Sequence, residues 1–161
     1  MLKNKLSTIS LTASSTNPED PDQVYSVPVT GGNLTITNNI TFLTPSTLSV
    51  VDKPIGSFTG ARQISGSLTC YLNTGAGNSA SLLKALADTS AVKNSYALVI
   101  NAGGETLGNP VAIFSMPYAH LSVPAIESAD VIGLNIEFAA QGQLGVDSTD
   151  ELTVAFEVAK A

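Results

Sequence analysis

Apolar and polar residues alternate along most of this chain, and the period is two. From residue 33, Leu34, Ile36, Ile40 and Phe42 alternate with Thr35, Thr37, Asn39 and Thr41. That is the pattern of a strand with one buried and one wet face. The clearest case is 62–72. Ile64, Leu68, Cys70 and Leu72 fall on one side with Gly66, and Gln63, Ser65, Ser67, Thr69 and Tyr71 on the other. In 131–140, Ile132, Leu134, Ile136 and Phe138 oppose Gly133, Asn135 and Glu137. In 151–158, Leu152, Val154, Phe156 and Val158 oppose Thr153 and Glu157. Strands are also expected at 96–101 and 111–118. Only 79–89 changes period. There Leu82, Leu83 and Leu86 lie one turn apart, which predicts a helix. Asn78 or Ser79 is placed to cap its free N–H groups.

About seven two-faced strands and one helix predict a mainly β fold: an antiparallel β-sandwich or open barrel with one flanking α-helix. A chain of 161 residues fits one such domain, assigned here to 33–161. Residues 1–32 are poor in large apolar groups and contain Asn17-Pro18-Glu19-Asp20-Pro21-Asp22, which suits neither a helix nor a central strand. They are expected to form an arm or extended lead-in, with room for a short strand at 24–29, or a disordered tail. The long loop 43–61 carries Pro45, Pro54, Gly56 and Gly60, with a short hairpin expected around Leu48, Val50 and Val51. Loops of this length are usually functional or disordered. Its apolar residues Leu48, Val50, Val51, Ile55 and Phe58 would each cost up to ~2 kcal/mol to leave in water. They are the candidates for a contact between subunits.

Charge narrows the function. Charged residues are 12% of the chain, about half the usual ~25%. The net charge is −6, which is wrong for gripping phosphates. It suits a surface that nucleic acid must slide past, since an acidic wall repels it. The polar faces fit that role: Gln63, Ser65, Ser67, Thr69, Asn135 and Glu137 are the candidates for a smooth, weakly charged wall. An ordinary outward sheet face is the plainer alternative.

Chemistry-bearing motifs are weak. One cysteine, Cys70, and one histidine, His120, make neither an internal disulfide nor a zinc site. Gly75-Ala76-Gly77-Asn78-Ser79-Ala80 fits a dinucleotide fingerprint between a strand and a helix. That fold, however, needs several crossover helices and a first strand apolar on both faces. Gly56-Ser57-Phe58-Thr59-Gly60 puts Phe58 where a nucleophile elbow needs serine. No run reaches the ~18 apolar residues of a membrane helix, and Ser7, Thr8, Ser10 and Thr12 break any leader-like segment. No enzyme activity, cofactor, metal or membrane partner is expected. A carbohydrate-binding or adhesin-like module stays open as a second function, with the acidic segment from Asp147 to Glu151 as a Ca²⁺ loop.

Two stretches carry a resemblance. Gly60-Ala61-Arg62-Gln63-Ile64-Ser65-Gly66-Ser67-Leu68-Thr69-Cys70-Tyr71-Leu72 precedes the helix, and Ile136-Glu137-Phe138-Ala139-Ala140-Gln141 precedes the last strand. With them, 56–158 resembles the phage tail tube protein family. The resemblance implies a sandwich-like fold whose copies close into rings, usually hexameric, that stack into a tube. Inner strands of all subunits then join in one barrel. DNA and the tape measure protein pass through the lumen, loop 43–61 contacts the next ring, and the arm helps lock neighbours. Relatives include longer chains with two copies of the fold, and secretion tubes and tail-completion proteins share it.

Overall fold

The computed structural model describes residues 7–14, 23–43, 56–87, 95–103, 110–128, 132–143 and 150–158. Strands β1 (Thr8–Ala13), β2 (Val24–Tyr25), β3 (Val29–Thr37), β4 (Ile40–Leu43), β5 (Gly56–Thr59) and β6 (Gln63–Tyr71) precede helix α1 (Ser79–Ala87). Strands β7 (Tyr96–Gly103), β8 (Pro110–Leu121), β9 (Ala125–Ser128), β10 (Ile132–Ala140) and β11 (Thr153–Val158) follow it. Nine of these strands form one antiparallel sheet in the order β2-β1-β7-β8-β10-β6-β3, with β11 on β8 and β9 on β10. The mainly β, antiparallel, one-helix reading of the sequence holds.

The sheet folds over itself at β8. The first half of β8 pairs with β11 and its last three residues pair with β10. Two irregularities bend it. Tyr96 opposes Ala119 while Leu98 opposes Met116, so Ala97 alone faces Pro117 and Tyr118. A proline has no N–H to donate, and a bulge is where a sheet tolerates one. Further on, Leu121 opposes Phe138 while Ala125 opposes Asn135, leaving one extra residue on the β8–β9 side. Ser122 staples this bulge. Its N–H and hydroxyl donate to the Glu137 carbonyl at 2.8 and 3.3 Å, and its Oγ accepts from the Glu137 N–H at 3.2 Å.

The core lies between the halves. Leu11, Leu98, Met116 and Tyr96 face Ile64, Leu68, Cys70, Leu134, Ile136 and Phe138 across it, all buried. Leu82 of α1 seals one end, and the rings of Tyr25 and Tyr96 meet at a 6.2 Å centroid distance.

Several expectations change. The lead-in 1–32 is not detached where it is described. β1 pairs along β7 over six positions, and Leu11 and Ala13 are core residues. Ser and Thr on its other face hid this. The strand expected at 33–42 breaks at Asn38 and Asn39. There the Ile40 N–H turns back to the Asn38 carbonyl at 2.9 Å, and the Asn39 amide donates to the Ala61 carbonyl at 2.8 Å. β4 leaves the sheet and, among the described residues, pairs only with β5, so both ends of the expected loop 43–61 are hairpin arms. Leu48, Val50, Val51 and Ile55 lie outside the described residues. Ser79 does not act as a surface cap. It is buried, its hydroxyl donates to the Tyr71 carbonyl at 2.8 Å and accepts from the Asn73 N–H at 2.7 Å. Val154 and Phe156, expected on a buried face, are exposed.

Candidate functional site

The polar faces of three neighbouring strands coincide. β6 alternates core and outward residues because its period matches the pleat. Its neighbour β10 is in the same phase: Asn135 opposes Thr69, Glu137 opposes Ser67, and Ala139 opposes Ser65. Directly opposed residues share a face, with Cβ atoms roughly 5 Å apart. The register thus brings Ser65, Ser67, Thr69, Asn135 and Glu137 together, with Gln63 at the end of the row. β3 adds a third rank, since Asn33 opposes Ser67, Thr35 opposes Ser65 and Thr37 opposes Gln63. β8 adds a fourth through His120, opposite Ala139.

Hydrogen bonds lock the ranks together. The Asn33 side chain donates to Ser67 Oγ at 3.1 Å and accepts from the Ser67 N–H at 3.2 Å. Thr30 donates to the Thr69 carbonyl at 3.1 Å. The face is concave, with an open depression of about 690 Å³ lined by Asn33, Thr35, Ser67, His120, Ser122 and Glu137 among others. Five of its lining residues carry small hydroxyl or amide groups: Asn33, Thr35, Ser65, Ser67 and Ser122. Asn135 is only half-exposed, and its Oδ1 is buried with no hydrogen-bond partner among the described residues.

This surface carries little chemistry. Cys70 points into the core on the opposite side of β6, and burial pushes its thiol pKa up, away from the reactive thiolate. Among the described residues no three His, Cys, Asp or Glu side chains gather as metal ligands. The acidic segment is already engaged: the Gln143 N–H donates to Asp150 Oδ1 at 3.2 Å, and Glu151 pairs with Arg62 at 3.1 Å. Asp147 lies outside the described residues. The glycine motif is closed too. Gly77 takes a positive φ of 71°, its carbonyl accepts from the Ser26 N–H at 2.8 Å, and a Cβ on it would lie 3.0 Å from Gln23. The Ala80 N–H at the helix start is already bonded to the Asn73 carbonyl.

Phe58 of the subunit-contact set sits on the β4–β5 hairpin and is 65% exposed. The sequence reading passed over the β3 contribution to the polar face. Its alternation was visible, but only register shows that Asn33 and Thr35 stand beside Ser67 and Ser65. It also passed over Phe42, which is exposed on the same hairpin.

A family model described as phage tail tube protein matches residues 7–140. The chain belongs to the phage tail tube protein family. A curated relative, tail tube protein pb6 of Escherichia phage T5, is 44% identical over 140 residues, which is 86% of this chain. The chain spans 29% of that relative's length. A solved structure of the SPP1 tail tube, by solid-state NMR and cryo-EM, superposes with a TM-score of 0.57. The match covers 98% of this chain and 81% of that one at 8% identity, a likeness of fold alone. The family match begins at residue 7, so it takes in β1, which the sequence reading had assigned to a lead-in.

Proposed function

We propose that this chain is a structural subunit of a phage tail tube and does no chemistry. Copies close into rings, hexameric in the family pattern, and the rings stack into a conduit for DNA and the tape measure protein. The subunit is made in the host bacterial cytoplasm and works in the virion tail. The observation that carries this is the polar β3–β6–β10 face, with Gln63, Ser65, Ser67, Thr69, Asn135 and Glu137 on one side of the sheet and Ser65, Ser67 and Glu137 lining its open depression. Short neutral groups with a single acidic rank offer phosphates nothing to hold. β3 supports ring closure. It ends the strand order, so its outer edge presents N–H and C=O groups that a neighbouring copy can pair.

The lumen assignment has a direct test. A Ser65→Lys/Ser67→Lys variant should still assemble but bind duplex DNA with a steep loss on adding salt, whereas wild-type tubes bind none. Loss of assembly in the variant, with the subunit fold intact by circular dichroism, would make this face a subunit contact instead of a wall.

A further inference from the structure

We infer that the bulge at Thr30 guards the free edge of β3: it keeps lone subunits from joining strand to strand until their concentration is high, and the side chains of Thr30 and Asn33 hold it in that form. The inference rests on the tube reading and adds how assembly is held back.

The edge needs a guard. β3 runs over nine residues, and among the described residues no strand lies on its outer side. A long uncharged edge is a template for another strand, and proteins commonly blunt it with lysine or another charge. Val29–Thr37 contains no charged residue, and its Ile36 is exposed. A bulge is the other common deterrent, because it bends the strand and breaks the spacing of its outward N–H and C=O groups. β3 has one. Val29 opposes Cys70 but Gly31 opposes Thr69, so Thr30 is an extra residue.

Two side chains hold the bulge. The Thr30 hydroxyl turns onto β6 and donates to the Thr69 carbonyl at 3.1 Å. Asn33 Oδ1 accepts from the Ser67 N–H at 3.2 Å, and its amide donates to Ser67 Oγ at 3.1 Å. Packing adds little. Residues 30–33 are exposed, and a Cβ on Gly31 would meet nothing within 4 Å. The segment borders an open cleft of about 510 Å³, lined also by Ile9 of β1 and Ile100 of β7. A stretch with two glycines, few buried contacts and space beside it is where a sheet opens first. It can change shape when a neighbour arrives, and the two hooks set how readily.

Register shows that the fold does not need the extra residue. Without Thr30, Val29 opposite Cys70 would be followed at once by Gly31 opposite Thr69, and every later pair would keep its face. A residue lost inside a regular strand would flip them all. The bulge therefore serves the edge and not the core.

Deletion of Thr30 tests this. The variant should keep the wild-type circular dichroism. Sedimentation and light scattering across a concentration series should show its assembly beginning at a concentration about tenfold lower than wild type, the effect of roughly two more backbone hydrogen bonds per contact. A second variant, Thr30→Val with Asn33→Ala, keeps the extra residue and removes the hooks, so its threshold should fall between the other two. A threshold equal to or above that of wild type in either folded variant overturns the inference, while wild-type tubes leave the tube reading standing. If the deletion does not fold, the second variant alone decides. Wild type and both variants monomeric at every concentration would instead overturn the tube reading, and this inference with it.

Discussion

Gly66→Ala should weaken the subunit more than any other single methyl added to β6. Gly66 lies on the core face of β6 beneath the ring of Phe138, its cross-strand partner. A Cβ there would lie 2.6 Å from Phe138 Cζ and closer still to the Asn33 carbonyl oxygen. Neither neighbour can yield cheaply. Phe138 is 3% exposed, and the Asn33 backbone is held by β3–β6 pairing and by its own side chain on Ser67. Alanine in a strand would otherwise gain ~0.5–1 kcal/mol over glycine. Overpacking a tight site costs ~1–3 kcal/mol, and here the clash involves backbone as well as side chain. A net loss of about 2 kcal/mol follows, or a Tm roughly 4–8 °C lower for a chain of this size. The assay is thermal unfolding of the unassembled subunit at fixed concentration, because assembly would raise the apparent Tm. Gly31→Ala is the control: a Cβ there meets nothing within 4 Å, so it should show only the strand gain of ~0.5–1 kcal/mol and no loss. Adding Phe138→Leu to Gly66→Ala should cost less than the sum of the two single changes, since they share one space. If Gly66→Ala melts together with Gly31→Ala, the reasoning on β3–β6–β10 packing fails.

Ser79→Ala removes a buried hydroxyl that satisfies both the Tyr71 carbonyl and the Asn73 N–H; urea unfolding should show a loss of ~1–3 kcal/mol, the cost of stranding buried polar groups. Cys70 is fully buried with its thiol pKa raised, so a thiol reagent at pH 8 should leave it unmodified in the native subunit and titrate one thiol after denaturation.

The two-period alternation made most of the fold legible. β6 and β10 were readable because one face of each is almost wholly apolar and the other almost wholly small and polar. That also exposed Gln63, Ser65, Ser67, Thr69, Asn135 and Glu137 as one class of residue before any contact was known. What the pattern could not show was pairing. β1 looked like a lead-in because its Ser and Thr residues dilute the signal, yet its Leu11 and Ala13 fill the space beside Leu98 and Tyr96. The Asn38–Asn39 kink was invisible because Ile40 and Phe42 keep perfect phase with Ile36 while the chain turns out of the sheet. β11 misled in the opposite way. Val154 and Phe156 alternate like core residues and share a face with Phe114 and Ala112, but among the described residues no second layer covers them, and Phe156 is 81% exposed. Alternation reports which residues want burial. It does not say whether the same chain or another copy provides it.

The most direct test of self-assembly is electron microscopy of the purified protein across a concentration series, with solution mass measured on the same samples. The account predicts hollow rings or tubes that lengthen with concentration, with the β3–β6–β10 face lining the bore. A compact monomer at every concentration, with Phe42, Phe58 and Phe156 still open to solvent, would contradict it.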